Sequence, residues 1–127
     1  MRKSMIAICA IILLTAALCV YTTAVLNDSV AHLQHTTARL QQSADAGDYA
    51  ACMSCAQELW QDWQKRFAYL ASLIPHEDLD KVSLSITSLW QKLRHGDHDE
   101  LSVEIGVLGE HLDHLVHKEE FRWENLL

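Results

Sequence analysis

Proline and glycine are scarce in this sequence, which has one proline and four glycines in 127 residues. These residues supply many of the tight turns that join short strands. Their scarcity argues against a sandwich or barrel of strands, and no segment shows the alternating apolar pattern of a strand. Apolar residues instead recur every three or four positions over long stretches, as in amphipathic helices. The composition therefore predicts an all-α protein with few connections.

Charge is absent from residues 4–27, a stretch of 24 residues that follows Arg2 and Lys3. About 20 apolar residues of α-helix cross the hydrocarbon core of a bilayer, and short basic flanks stay on the cytoplasmic side. We therefore expect a retained, single-pass helix in the cell membrane with a cytoplasmic N-terminus. The predicted division is a cytoplasmic basic start at 1–4, a transmembrane helix at 5–26 and an extracytoplasmic helical domain at 27–127.

A cleaved signal peptide is the alternative for this N-terminal segment. The small residues Thr22-Thr23-Ala24 form a poor cleavage site, and the apolar run is longer than a usual signal sequence. Leu18, directly before Cys19, also does not fit a lipoprotein signal, which requires a small residue there. These features favour a retained anchor.

Basic residues are few beyond the apolar run. Residues 28–127 contain eight Lys and Arg against seventeen Asp and Glu, a net charge of −9. An acidic domain repels the phosphates of nucleic acids and anionic lipid surfaces. Nucleic acid is therefore not expected among the partners, and most of the acidic residues are expected on a solvated face.

Four helices are expected from the apolar spacing. The first should continue from the span into the outer domain, because no proline or glycine interrupts residues 5–44, and such a helix would be about 60 Å long. Its apolar seam steps by four and three residues: Leu26, Val30, Leu33, Thr37, Leu40 and Ala44. The other three helices are predicted at about 48–73, 76–94 and 97–124.

Helix breakers divide these segments. Gly47 ends the first helix and Asp48 caps the second, while Pro75 closes the second. After Gly96, the sequence Asp97-His98-Asp99-Glu100 resembles a capping box, with a carboxylate cap and Glu three residues later. Short connections make consecutive helices antiparallel neighbours. The predicted fold is one transmembrane helix continuing into a small antiparallel helical bundle of two helical hairpins.

A carboxylate interrupts the apolar seam of the fourth helix. Glu119 lies 18 residues after Leu101, which is five full turns, so both point in the same direction. A carboxylate in that position needs a partner. An antiparallel hairpin folded at Gly96 places His76 near Val116 and Glu119. We therefore predict a structural polar pair between His76 and Glu119; a solvated Glu119 at a frayed helix end is the alternative.

Three histidines near the C-terminus suggest a metal site. His111 and His117 are about 120° apart around a helix, so all three cannot share one ion. Glu110, His114 and His117 lie more nearly on one face, although a zinc site needs further ligands or a shaped cavity. A solvated polar face is the favoured interpretation, and neither a metal nor a cofactor is expected.

Cys52 and Cys55 form a Cys-Met-Ser-Cys sequence in the second helix. Reactive pairs of this kind usually place the first thiol at a helix N-terminus, where the helix dipole lowers its pKa. With Asp48 as the cap, Cys52 is already one turn inside the helix. A disulfide between residues three apart within a regular helix is also strained. Buried small residues are the favoured interpretation, with redox chemistry as the alternative.

Tryptophan is frequent, at positions 60, 63, 90 and 123. Trp60, Trp63 and Trp90 fall on or beside apolar seams and are most simply packing residues. An aromatic groove for a peptide or partner helix is the alternative. The sequence contains no glycine-rich phosphate loop, nucleophile elbow or His-Glu-x-x-His motif.

The layout resembles the bacterial family called Domain of Unknown Function 4363, whose members have a short basic start, one membrane helix and about a hundred residues of helix. The matching pieces are Gly47-Asp48, the Trp60/Trp63 region, His76-Glu77-Asp78-Leu79-Asp80, His114-Leu115-Val116-His117-Lys118-Glu119 and Glu124-Asn125-Leu126. The resemblance covers nearly the whole chain, and the family has no assigned activity. It implies an accessory subunit beside other membrane proteins.

These observations together predict a non-enzymatic membrane protein. It should contact the lipid bilayer through residues 5–26 and bind a membrane-protein partner or a second copy of itself. The first alternative is an extracytoplasmic redox- or metal-linked protein that uses Cys52/Cys55 or Glu110/His114/His117. The second is a peptide-binding helical-repeat module with a groove around the tryptophans.

Overall fold

The computed structural model describes the backbone of residues 1–126 and the side chains of residues 1–116. The described backbone forms four helices joined by short connections, which confirms the all-α fold. Their bounds are α1 Arg2–Asp45, α2 Tyr49–Leu73, α3 His76–His95 and α4 Leu101–Leu126.

The helices pack as an antiparallel bundle in which each helix contacts two others. The contacting pairs are α1 with α2, α2 with α3, α3 with α4, and α1 with α4. The two hairpins therefore close into a ring of four helices around one core. The buried apolar side chains come from all four helices: Leu26, Val30, Leu33, Leu40, Cys52, Cys55, Ala56, Leu59, Trp63, Leu70, Ile74, Leu79, Val82, Ile86, Leu89, Leu93, Leu101, Ile105, Leu108, Leu112 and Leu115. Burying each of the larger of these stabilises the fold by about 1.5–3 kcal/mol.

Most helix ends are those expected from the sequence. Gly47 and Gly96 both have a φ of 72°, a left-handed conformation that glycine adopts without steric cost. Asp48 accepts a hydrogen bond from the Ala51 N–H at 3.2 Å and caps α2. Pro75 separates α2 from α3, since it cannot continue the ladder of helical hydrogen bonds.

The start of α4 differs from the prediction. The helix begins at Leu101, and residues 97–100 are not helical, so the capping box at Asp97–Glu100 is not formed. The Glu100 carboxylate instead accepts a hydrogen bond from Lys92 Nζ, and Lys92 also pairs with Glu104 at 3.2 Å. This pairing lowers the pKa of Glu100, because the ammonium favours the charged carboxylate. A charged partner on α3 has therefore replaced a local cap.

The long helix α1 has two parts with different surroundings. Residues 1–18 are exposed along their whole length, whereas the predicted seam from Leu26 to Leu40 is buried in the bundle core. No break in the helix separates the two parts, as predicted. Residues 22, 23 and 25 are already half-buried, so the bundle begins to pack inside the segment predicted to span the membrane.

Candidate functional site

Polar side chains of α1 and α2 meet in one cluster at the end of the bundle nearest the exposed part of α1. The Arg66 guanidinium is at its centre and donates to Asp62 Oδ1 at 2.9 Å, to Ser29 Oγ at 3.0 Å and to the Tyr69 hydroxyl at 3.3 Å. Ser29 and Tyr69 also share a hydrogen bond. His32 Nδ1 lies 2.9 Å from Asp62 Oδ2. We call these five residues the α1–α2 clamp.

Helical spacing explains why the α1–α2 clamp forms. Ser29 and His32 are three residues apart on α1, whereas Asp62, Arg66 and Tyr69 are four and three apart on α2. Each set therefore lies on one face of its helix. The two faces meet because α1 and α2 are antiparallel neighbours.

Burial makes the ionic part of the α1–α2 clamp energetically important. Only 19% of the Arg66 side chain and 16% of the Asp62 side chain are exposed. Burial alone would lower the pKa of Arg66, but its hydrogen bonds to Asp62 and Tyr69 outweigh that effect and the pKa is raised. Arg66 is therefore charged at every accessible pH, and its charge is neutralised within the cluster.

The α1–α2 clamp contains a serine, a histidine and an aspartate but lacks the geometry of a hydrolytic triad. A triad requires a hydrogen bond between the nucleophile and the base. Here Ser29 bonds to Arg66 and Tyr69, while His32 bonds to Asp62. Ser29 is also only 1% exposed, so a substrate cannot approach its hydroxyl. The arrangement instead fixes the register and rotation of α1 against α2.

The α1–α2 clamp was not predicted from the sequence. The available sign was a set of polar residues with helical spacing on the flank of each apolar seam, such as Ser29 beside Val30 and Arg66 beside Trp63. This sign is weak, because solvated helix flanks have the same composition.

The predicted pair of His76 and Glu119 falls partly outside the described residues. His76 is the first residue of α3, and its side chain is exposed. The Glu119 side chain lies outside the described part of the chain. The antiparallel neighbours α3 and α4 have the topology that the pair requires, and the pair itself stays a prediction.

The possible metal ligands on α4 are also only partly described. Glu110 and His114 are exposed, and the side chain of His117 lies outside the described residues. Among residues 1–116, no three His, Cys, Asp or Glu side chains are placed to hold one metal ion. The site at Glu110, His114 and His117 stays a prediction.

Cys52 and Cys55 lie on the core side of α2, with 0% and 6% of their surface exposed. Both are free thiols, and Cys52 Sγ lies 3.9 Å from the Leu40 carbonyl oxygen. Burial raises the pKa of the Cys52 thiol, and the neighbouring Cys55 and Asp48 raise it further. Because the thiolate is the reactive form, this environment suppresses redox chemistry. The packing interpretation fits these features better.

Slow alkylation of Cys52 and Cys55 is therefore expected in the folded chain. At mildly alkaline pH the raised pKa of Cys52 leaves less of its thiolate, and burial blocks the access of the reagent to both thiols. Maleimide labelling followed by mass spectrometry should show both thiols reacting at least about tenfold faster in denaturant. The matched control is Ser54→Cys, an exposed position between them, which should react rapidly. Labelling of Cys52 as fast as the cysteine at position 54 would restore the redox alternative.

The tryptophans of α2 and α3 have different environments. Trp63 is 1% exposed, and its indole N–H donates to Ser83 Oγ at 2.9 Å. Trp60 is 38% exposed, and Trp90 is half-buried. Trp63 therefore belongs to the core.

Trp60 and Trp90 line a surface groove of about 420 Å³ between α2 and α3. Gln57, Gln61 and Thr87 complete its lining. We call it the α2–α3 groove. Its lining consists of two indole rings, two side-chain amides and one hydroxyl, and none of these groups is charged. Such a lining suits the uncharged groups of a partner.

A protein-family model described as Domain of unknown function (DUF4363) matches residues 20–126 of the chain. The match confirms the family resemblance seen in the sequence, and the family's function is unknown. It begins close to the point where α1 enters the bundle. No curated protein and no solved structure matches the chain.

Proposed function

We propose that this chain, which belongs to the family Domain of unknown function (DUF4363), is a non-enzymatic single-span membrane protein whose bundle binds another membrane protein. One observation carries the proposal. The helix α1 is unbroken from Arg2 to Asp45, so the exposed apolar part and one of the four core helices are a single element. A change in tilt or rotation of the anchor would therefore move the bundle directly.

The surroundings of α1 support membrane insertion. Its most apolar 18-residue window is 0% buried within the protein, whereas a core helix of a soluble protein would bury such a surface. Thr22, Thr23 and Val25 are half-buried against the bundle. Cleavage after Ala24 would therefore cut α1 where it packs, which favours a retained anchor. Arg2 and Lys3 favour a cytoplasmic N-terminus and a bundle outside the cell.

The contacts of the polar groups support a role in binding rather than catalysis. In the described part of the chain, the α1–α2 clamp holds α1 to α2, and Lys92 with Glu100 and Glu104 joins the ends of α3 and α4. Both clusters connect helices, and the more buried one surrounds a serine that is 1% exposed.

The α2–α3 groove is the surface that we assign to the partner. All of its lining residues belong to α2 and α3, and none belongs to α1. An uncharged lining in a domain with a net charge of −9 selects apolar and hydrogen-bonding groups rather than a basic segment. The expected occupant is an uncharged extracytoplasmic segment of a membrane protein.

Photo-crosslinking in intact membranes tests this function. A photoreactive residue at Trp60, at native expression, should capture one membrane protein at least about tenfold more efficiently than the same residue at exposed Glu110 on α4. Thr87→Arg, which places a charge in the groove, should abolish the capture without unfolding the bundle. Equal capture from both positions, or a mild-detergent pull-down that recovers the chain alone, would contradict the proposal.

A further inference from the structure

The exposed length of α1 matches the thickness of a bilayer core. The uncharged run begins at Ser4, and 20 residues of α-helix from there reach Thr23, a distance of about 30 Å. Thr23 is half-buried against the bundle, and Leu26, three residues later, is 1% exposed. The end of the span and the base of the bundle therefore coincide.

This coincidence leaves no spacer between bilayer and bundle. A domain that stands away from the membrane needs linker or free helix between the span and its first packed residue. Here the helix between Thr23 and Leu26 is less than one turn. Since α1 is continuous through this point without a proline or glycine, an α1 that crosses the bilayer places the base of the bundle at the level of the lipid headgroups.

A cleft opens at this level between α1 and α2. Its volume is about 460 Å³, and its lining comes from one turn of each helix: Tyr21, Thr22, Val25, Tyr69, Ser72 and Leu73. We call it the basal cleft. Tyr21 is 67% exposed and Tyr69 is 36% exposed, and tyrosines are enriched where membranes meet water.

The chemistry of the basal cleft fits the boundary between headgroups and acyl chains. Val25 and Leu73 supply apolar side chains to its lining, whereas Thr22 and Ser72 supply hydroxyl groups. None of the six lining residues is charged, although the domain as a whole is acidic. The lining therefore offers no positive charge to bind an anionic headgroup. A glycerol ester can accept hydrogen bonds from the hydroxyls, and the upper carbons of its acyl chains can pack on the apolar side chains.

We propose that the basal cleft takes the glycerol and upper acyl region of an outer-leaflet lipid, so that the bundle is seated on the bilayer. This inference rests on the proposed membrane anchoring. The basal cleft also adjoins the α1–α2 clamp, because Tyr69 lines the cleft and its hydroxyl bonds to Ser29 and Arg66. Tyr69 therefore belongs both to the proposed lipid site and to the contacts that hold α1 against α2.

The three tyrosines of the chain provide the test. The full-length protein, labelled with fluorotyrosine, is placed in phosphatidylcholine nanodiscs, and ¹⁹F relaxation is measured with an aqueous gadolinium chelate and with a lipid carrying a nitroxide near its headgroup. Tyrosine-to-phenylalanine variants assign the signals. Tyr49 at the far end of α2 is 38% exposed, almost the same as Tyr69 at 36%, so it is a matched control.

The expected result is that the lipid nitroxide relaxes Tyr21 and Tyr69 at least about fivefold more than Tyr49, with the reverse order for the aqueous chelate. If the lipid nitroxide relaxes Tyr21 but the aqueous chelate relaxes Tyr69, the bundle does not rest on the bilayer, whereas the membrane anchor is still supported. Aqueous behaviour at both would overturn the anchor itself. Shielding of Tyr69 from both agents would show that another protein segment fills the cleft and would also overturn the inference.

Discussion

Replacement of Trp63 with alanine is expected to lower the free energy of unfolding by about 3–5 kcal/mol, the usual loss for a fully buried aromatic residue. Trp63 is 1% exposed and packs edge-to-face on Phe67 with a ring-centroid distance of 5.8 Å. The substitution leaves a cavity between α2 and α3 and removes the donor to Ser83. Urea unfolding of the full chain in mild detergent, followed by circular dichroism, measures the loss.

Trp60 provides the matched control for this substitution. It is three residues earlier on the same helix and 38% exposed, so Trp60→Ala should cost less than about 1 kcal/mol. Trp63→Phe keeps most of the volume and removes only the indole N–H, so its cost should lie between the two. Similar losses for Trp60→Ala and Trp63→Ala would show that the core is not centred on Trp63.

Replacement of Arg66 with methionine is expected to lower the free energy of unfolding by about 2–3 kcal/mol. Methionine keeps much of the side-chain volume but leaves Asp62 as a charge with only 16% of its side chain exposed. It also removes a donor from Ser29 and from Tyr69. The same urea unfolding experiment measures the effect.

Arg39 tests whether burial is the reason for this loss. Arg39 also pairs an arginine with a carboxylate across α1 and α2, but 48% of its side chain and 47% of that of Glu58 are exposed. Arg39→Met should therefore cost less than about 1 kcal/mol. The double variant Asp62→Asn/Arg66→Met should recover part of the stability, because it removes a largely buried carboxylate that would otherwise keep His32 as its remaining partner. Equal losses for the two arginines would contradict a stabilising clamp.

The α1–α2 clamp and the proposed function are linked through α1. If the anchor and the bundle act as one rigid body, the contacts of α1 with α2 set the direction in which the α2–α3 groove faces. On α1 the clamp begins at Ser29, about one turn after Val25 of the basal cleft, so it lies directly above the proposed lipid surface. Arg66→Met is therefore expected to weaken partner capture at Trp60 as well as stability.

Much of the fold could be predicted from the sequence because helices depend on local spacing. The seam from Leu26 to Leu40 is buried as predicted, since residues three and four apart share a face whatever packs against them. Asp48 caps α2 as predicted, because capping involves only neighbouring residues. The predicted start of α4 at residue 97 was wrong, and the helix begins at Leu101. The local pattern assigned the Glu100 carboxylate to a capping box, but in the fold this carboxylate bonds to Lys92 of α3.

The sequence by itself determined the four-helix chain, the uninterrupted first helix and the uncharged segment long enough to cross a bilayer. Each of these depends on composition and on spacing within one helix. Only the tertiary structure decided that Trp63 is buried while Trp60 lines a groove, and that Ser29 meets Arg66 across 37 residues. It also placed Tyr21 and Tyr69 in the lining of one cleft, where the exposed part of α1 enters the bundle. The physical reason is that contacts between helices depend on the rotation of each helix about its axis and on its neighbour, and neither is encoded in the periodicity of a single segment.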